Sequence, residues 1–500
     1  MLFWTAVLSA AMVAGLTVEE TDDGIVVDVE GDDGFVVTID SSGSISSLQY
    51  RDAEYQYSET LSHIASGLGS DASTSYTTQG DYAVVAATID DDSFDLTHYY
   101  VFQDGVSAIY MGTNSLSQPS VGELRYIARL TDLPNAYKKG NVSATAGNDA
   151  EIIEGSDVYL VDGETRSKSS GGPFFRDIDL NSGGSYHSVT FYMNSGHVQT
   201  EERRTGFFGP YILSFTGSSI PSWSDFDVSF FEDLELDGYV GSSGRGVVTG
   251  SVSGTSDSKP AIVHFYNDDY QSWANTSDGS FASPELVEGS YTLALYQDEL
   301  LAGTTTVDVT AGATATASVS ATNEIITADR TTIFQIGEYD GTPVGLRNAQ
   351  SQLIMHPSDD RMDDWNPTPF VVGTSSDSDF PMAIFTDVNN NFEIQFTLDE
   401  TIDADTVTVR VATTLAYAGG RPQVTLNDSE GDAPDAPTDI DSRGVTRGAY
   451  RGYGEVYTFD FDAGALVDGD NSVYISVVSG SSGSEFLSPN VIIDAIELYY

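Results

Sequence analysis

The chain has 500 residues, with 76 acidic and 20 basic side chains and no cysteine, for a formal net charge of −56. It is too long for one ordinary core, and 40% apolar with 11% aromatic residues is ample for packed domains, which excludes a disordered acidic chain. The missing cysteines exclude disulfides, thiolate zinc sites and a catalytic thiol, and the charge excludes non-specific binding to nucleic acid, whose phosphates it repels.

In chain order, Met1–Leu16 is an apolar run too short to span a bilayer comfortably, with small residues near its end and Glu19, Glu20, Asp22 and Asp23 directly after it. It reads as a secretory signal (1–16), although no basic residue precedes the apolar core, with a buried first strand as the alternative. No other stretch approaches membrane length, so the expectation is a secreted, extracellular chain. Asn141, Asn275 and Asn427 head glycosylation sequons.

Helical periodicity is nearly absent. Alternating strands bounded by Gly, Asp, Asn and Ser dominate, as in Gly24–Val29, Gly34–Ile39 and Tyr82–Ile89. The glycine- and serine-rich GSSGRGVV at 241–248 ends a first block (17–245). A second block (246–322) is the size of one sandwich and holds a hairpin, Gly289–Tyr296 and Leu300–Val309 around a turn at Gln297–Glu299. A third (323–500) opens with Thr332–Ile336 and closes with Val491–Tyr500, strands expected to lie side by side as in a jelly roll. The fold class is all-β: a large β-sandwich followed by two smaller sandwiches.

The positive charge is unevenly placed. An even spread would put about three of the 20 basic residues between Val121 and Arg204, yet nine are there. They are Arg125, Arg129, Lys138, Lys139, Arg166, Lys168, Arg176, Arg203 and Arg204, accompanied by His187 and His197. One reading is a groove for an anionic substrate; the other is pairing with the twelve local carboxylates. Arg125 and Arg129 are four apart in GELRYIAR, so a strand points both to one face. Two guanidiniums on one face suit a carboxylate-bearing polymer. The aromatics of FYMNSGH (191–197) offer faces for sugar rings.

At these residues the sequence resembles the rhamnogalacturonan lyases of polysaccharide lyase family 4, especially the fungal type. The matching segments are SHIASGLGS (62–70), SVGELRYIARL (120–130), IEGSDVYLVDGETRSK (153–168) and YMNSGHVQTE (192–201), and the likeness runs on to SPNVIIDAIELYY at the end. It implies a β-sandwich catalytic domain, a fibronectin-III-like domain and a C-terminal jelly-roll carbohydrate-binding-like domain. It also implies β-elimination at the rhamnose-α-1,4-galacturonate bond of the rhamnogalacturonan I backbone of pectin, leaving a 4,5-unsaturated galacturonate. By the same resemblance Lys168 and His197 are the catalytic residues, Arg125 and Arg129 bind substrate, Tyr192 is an aromatic of the site, and a second tyrosine position falls on Thr190.

That chemistry needs a neutral Lys168 as base, a proton from His197 for the departing O4, and an arginine to neutralise the enolate-like carboxylate. No cofactor is required for catalysis. One departure stands out: the family places a longer stretch with a cysteine pair where Lys168 runs directly into Ser169-Ser-Gly-Gly-Pro-Phe174. Either the strands there are shortened or the gene has lost an exon.

Three readings follow: a lyase, a non-catalytic pectin-binding protein with a degenerate site, and a glycoside hydrolase using paired carboxylates. The expected partner is pectic polysaccharide, with no nucleic acid and no membrane, and the chain is read as a monomer. A second basic-aromatic cluster (Arg443, Arg447, Arg451, Tyr450, Tyr453) either packs against the catalytic domain or touches substrate. A structural calcium in the jelly roll would use Asp494. The acid excess and the scarcity of lysine (four against sixteen arginines) fit a salty medium, with an acidic one as the alternative.

Overall fold

The computed structural model describes residues 15–31, 33–65, 68, 71–90, 95–117, 123–131, 151–154, 158–162, 172–174, 178–182, 186–195, 203–215, 221, 223–352, 356–367, 369–437, 444–447 and 449–500. Residues 1–14, and with them nearly all of the expected signal segment, lie outside this set. Among the described residues no helix is long and apolar enough to cross a membrane.

The alternating segments form strands where the pattern places them. Gly24–Asp28, Phe35–Ile39 and Tyr82–Asp90 bury every second residue or nearly so, because a period of two puts successive side chains on opposite faces. The first block holds three sheets. A five-stranded meander runs from Thr17–Thr21 to Ala53–Glu54. A seven-stranded sheet has Gly206–Phe215 and Ala108–Ser115 at its centre, and a four-stranded sheet has the order Ile178–Ser182, Tyr186–Ser195, Glu123–Thr131, His63–Ala65. One apolar cluster draws on all three sheets, with Val37, Tyr100, Tyr126 and Tyr211 fully buried within it. A second cluster, around Tyr110, Phe230 and Phe231, closes the back of the seven-stranded sheet.

From Arg245 to Ser320 two four-stranded sheets enclose Val248, Phe265 and Leu293. The expected hairpin is present as Gly289–Gln297 paired with Leu300–Val309, and Asp298 takes a positive φ of 53° in its two-residue turn. The last block is a sandwich of two five-stranded sheets around Phe380, Ile394, Val409 and Val473. Its opening and closing strands, Thr332–Gly337 and Asn490–Tyr499, pair antiparallel. The closing strand departs from its alternating pattern, because it is buried on both faces. Its second face is covered by the loop at Tyr339 and by Leu300 of the preceding hairpin, which meet Ala412 and Ala495 in a small cluster.

Candidate active-site face

The four-stranded sheet is sided. Glu123–Thr131 turns Leu124, Tyr126, Ala128 and Leu130 into the core, each at most 1% exposed. Its other face carries Glu123, Arg125, Arg129 and Thr131, all half-buried, with Ile127 buried between the two arginines. The neighbouring strand places Tyr192 opposite Arg125, Thr190 opposite Ile127 and Ser188 opposite Arg129. On the other side His63 lies opposite Ile127. Arg125, Arg129 and Tyr192 are therefore brought to one face, as the four-residue spacing predicts. Thr190, at the second tyrosine position, is buried on the same face, opposite Ile127.

The two arginines differ in their surroundings. Arg125 Nη1 is 2.7 Å from a Glu123 carboxylate oxygen and donates to the Tyr192 hydroxyl at 3.3 Å, and its guanidinium lies 5.6 Å from the centre of the Tyr192 ring. Arg129 forms no ion pair among the described residues. Its Nη1 donates to the Leu61 carbonyl at 2.9 Å and stands 3.2 Å from His63 Nδ1.

A buried clamp fixes Arg129 from behind. The Ser62 hydroxyl accepts the Arg129 N–H at 2.8 Å and donates to Gln56 Oε1 at 2.6 Å, and the Gln56 amide nitrogen donates to the carbonyls of Tyr57 and Thr60. Neither Ser62 nor Gln56 is more than 2% exposed. A guanidinium anchored by one nitrogen, with no carboxylate beside it among the described residues, keeps its remaining N–H groups for an anion. His63 completes the face. Burial, reinforced by the charges of Arg129 and Arg125, holds its pKa below the ordinary 6.5 against the opposing effects of the Leu61 hydrogen bond and Asp40. Sequence reasoning missed His63, Ser62 and Gln56, although the first two lie in the SHIASGLGS segment. Tyr57 and Tyr186 stack at 4.7 Å where these strands end.

Lys168 and His197 lie outside the described residues, as do Lys138, Lys139, Arg166 and Arg176. Part of the local enrichment in cations is structural, since Arg204 is buried and donates to the Asn267 carbonyl at 2.8 Å.

The C-terminal basic-aromatic cluster goes elsewhere. The Arg451 guanidinium sits 4.7 Å over the Phe174 ring of the first block and pairs with Glu299 of the second at 3.1 Å, while the Tyr450 hydroxyl donates to Glu299 at 2.6 Å. Arg451 thus packs against the catalytic block. Arg443 and the Arg447 side chain lie outside the described residues. Asp494 Oδ1 accepts the backbone N–H groups of Gly341 at 2.9 Å, Thr342 at 3.1 Å and Asp340 at 3.3 Å. Among the described residues no group of three or more His, Asp or Glu side chains could hold a metal ion.

Three all-β blocks and a sheet face presenting two arginines and a tyrosine define a modular protein suited to an acidic polymer. The comparisons place it more narrowly. The first block matches the family described as rhamnogalacturonan lyase B, N-terminal, over residues 16–169 and 167–238. The second matches polysaccharide lyase family 4, domain II, over 244–317, and the third matches domain III of that family over 332–498. The chain is 49% identical to the probable rhamnogalacturonate lyase A of Aspergillus flavus, with 99% of this chain and 97% of the relative covered. It is 48% identical to rhamnogalacturonate lyase A of Emericella nidulans, over 100% and 98%, and 46% identical to that of Aspergillus aculeatus, over 97% and 96%.

The chain belongs to the rhamnogalacturonan lyases of polysaccharide lyase family 4. Its N-terminal match is broken in two where Lys168 meets Ser169. The alignment to the Aspergillus flavus relative runs over 531 positions against 500 residues here, so that relative carries residues this chain lacks.

Proposed function

We propose that this chain is an extracellular, monomeric endolyase that cleaves the rhamnose-α-1,4-galacturonate bond of rhamnogalacturonan I by β-elimination, with no metal in the catalytic step. The observation that carries this reading is Arg129: a cation with no carboxylate partner among the described residues, held by backbone and Ser62 contacts on an open sheet face. Abstraction of the galacturonate C5 proton builds negative charge on the adjoining carboxylate, and a fixed guanidinium stabilises that charge as it forms. Arg125, already paired with Glu123, orients the Tyr192 ring and contributes a weaker field. Lys168 takes the C5 proton, the C4–O4 bond breaks as the C4=C5 double bond forms, and His197 gives a proton to the departing O4, so that atoms and charge balance.

The test is incubation with debranched rhamnogalacturonan I. The expected result is a rising ultraviolet absorbance from the unsaturated product, lost in Lys168→Ala. New reducing ends without that absorbance would indicate hydrolysis instead. One observation favours a second reading, that of a binding protein with a degenerate site: the family match breaks at Lys168–Ser169. Retention of the polymer without cleavage supports it.

A further inference from the structure

We infer that His63 is a substrate-binding residue whose Nε2 accepts a hydrogen bond from a sugar hydroxyl of the polymer lying on the Arg125–Arg129 face. The inference rests on the lyase reading for the location of the substrate, and on the geometry of His63 for its role.

His63 stands opposite Ile127, midway between the two arginines. Its Nδ1 is 2.9 Å from the Leu61 carbonyl oxygen. A carbonyl can only accept, so Nδ1 carries the proton of the neutral ring. Arg129 Nη1, at 3.2 Å from that nitrogen, is also a donor, and the two converge on the same carbonyl. The tautomer is thereby set: Nε2 holds a lone pair. No partner for Nε2 stands among the described residues, and His63 is half-buried rather than enclosed. Among the described residues, the charged and titratable groups around the ring are Arg129 and Arg125 on the adjacent strand, Glu123 and Tyr192 bound to Arg125, and Asp40 from the neighbouring meander.

Chemistry explains why an acceptor belongs there. Guanidiniums offer only N–H groups and match a carboxylate, but each sugar hydroxyl also brings a hydrogen that needs an acceptor. Glu123 and the Tyr192 hydroxyl already accept from Arg125, and around Arg129 guanidinium N–H groups alone would leave those hydrogens unpaired once water is displaced. Ile127, between the arginines, supplies nothing polar. His63 fills that gap, and it does so only while neutral.

The experiment compares His63→Phe, which keeps the ring volume without an acceptor, with His63→Gln, which keeps one. Three quantities are measured: kcat and KM on rhamnogalacturonan I, calorimetric affinity for its oligosaccharides in a Lys168→Ala background, and the thermal midpoint. We expect His63→Phe to raise KM and Kd roughly tenfold with kcat within threefold, as for one lost hydrogen bond in a dry site, and His63→Gln to restore most of it. Wild-type KM should rise as pH falls below the ordinary histidine range, and this rise should be absent in His63→Gln.

Wild-type KM and Kd in the Phe variant overturn the proposal. So does a KM that falls on acidification, or a Gln variant no better than Phe, which would mark the ring as mere packing for Arg129. If the wild-type chain releases no unsaturated product, the lyase reading fails and the affinity comparison alone decides His63. Absence of wild-type binding overturns both.

Discussion

Arg125 and Arg129 share a strand, a face and a side-chain type, yet their environments separate them. Arg125 is neutralised by Glu123 and Arg129 has no carboxylate partner among the described residues, so on the proposed reading Arg129 is the stronger receptor for the galacturonate carboxylate. Arg129→Ala is expected to lower kcat/KM by about 2–3 kcal/mol, roughly 30- to 150-fold, as for a lost charge-assisted contact. Arg125→Ala should lose less, and steady-state kinetics on the same polymer ranks the two. The spacing of the pair was legible in GELRYIAR, because a strand's period is local. The clamp of Gln56 and Ser62 behind Arg129 was not, because it lies about seventy residues away in sequence.

Asp494 makes the same point with a pH signature. Burial first, and the Asp340 charge second, push its pKa up to about 7 from 3.8. The folded state therefore holds a proton that the unfolded chain releases, and stability falls as pH rises from about 4 to about 7. In Asp494→Asn that slope is absent. Relative to wild type, the variant should gain about 1.4 kcal/mol per pH unit across this window and then level off, as read by denaturant unfolding at each pH.

Among the elements, the closing strand Asn490–Tyr499 mostly alternates apolar and polar residues in VIIDAIELYY. Its acidic residues are instead buried, Glu497 against Arg330 and Arg410, because the Tyr339 loop and the second block's hairpin cover the outer face. The turn of that hairpin is the keystone. Glu299 donates its N–H to the Asp340 carbonyl at 2.8 Å, and a Cβ on Gly341 would come within 2.5 Å of the Glu299 backbone, so only glycine fits beside it. Glu299 also pairs with Arg451, which lies over Phe174, so one arginine touches all three blocks.

Arg451→Ala leaves Glu299 mostly buried and unpaired, a change expected to cost about 3 kcal/mol. Adding Glu299→Gln removes the stranded charge, so the double variant should be more stable than Arg451→Ala alone. Urea unfolding of the single and double variants checks the sign. The hairpin itself was legible from its two alternating runs, but its role as a junction was not, since the contacts that make it one come from Asp340, Tyr450 and Arg451, far downstream.

For the whole molecule the net charge of −56 sets the terms. Self-repulsion reaches over about 10 Å at 0.1 M salt and about 3 Å at 1 M, so the thermal midpoint at pH 7 should rise steadily as sodium chloride is raised through that range. A flat or falling midpoint would remove salt adaptation as the meaning of the acid excess.

By itself the sequence determined the all-β class, the shared face of the two arginines and the family, because strand alternation, turn residues and long ordered segment matches are all carried along the chain. The tertiary structure alone decided that the Ser62–Gln56 clamp stands behind Arg129, that His63 joins the two arginines with Nδ1 against the Leu61 carbonyl, and that Arg451 belongs to a domain junction. Those outcomes depend on which groups meet across sheets and blocks, and burial and pairing, unlike periodicity, are set by distant partners.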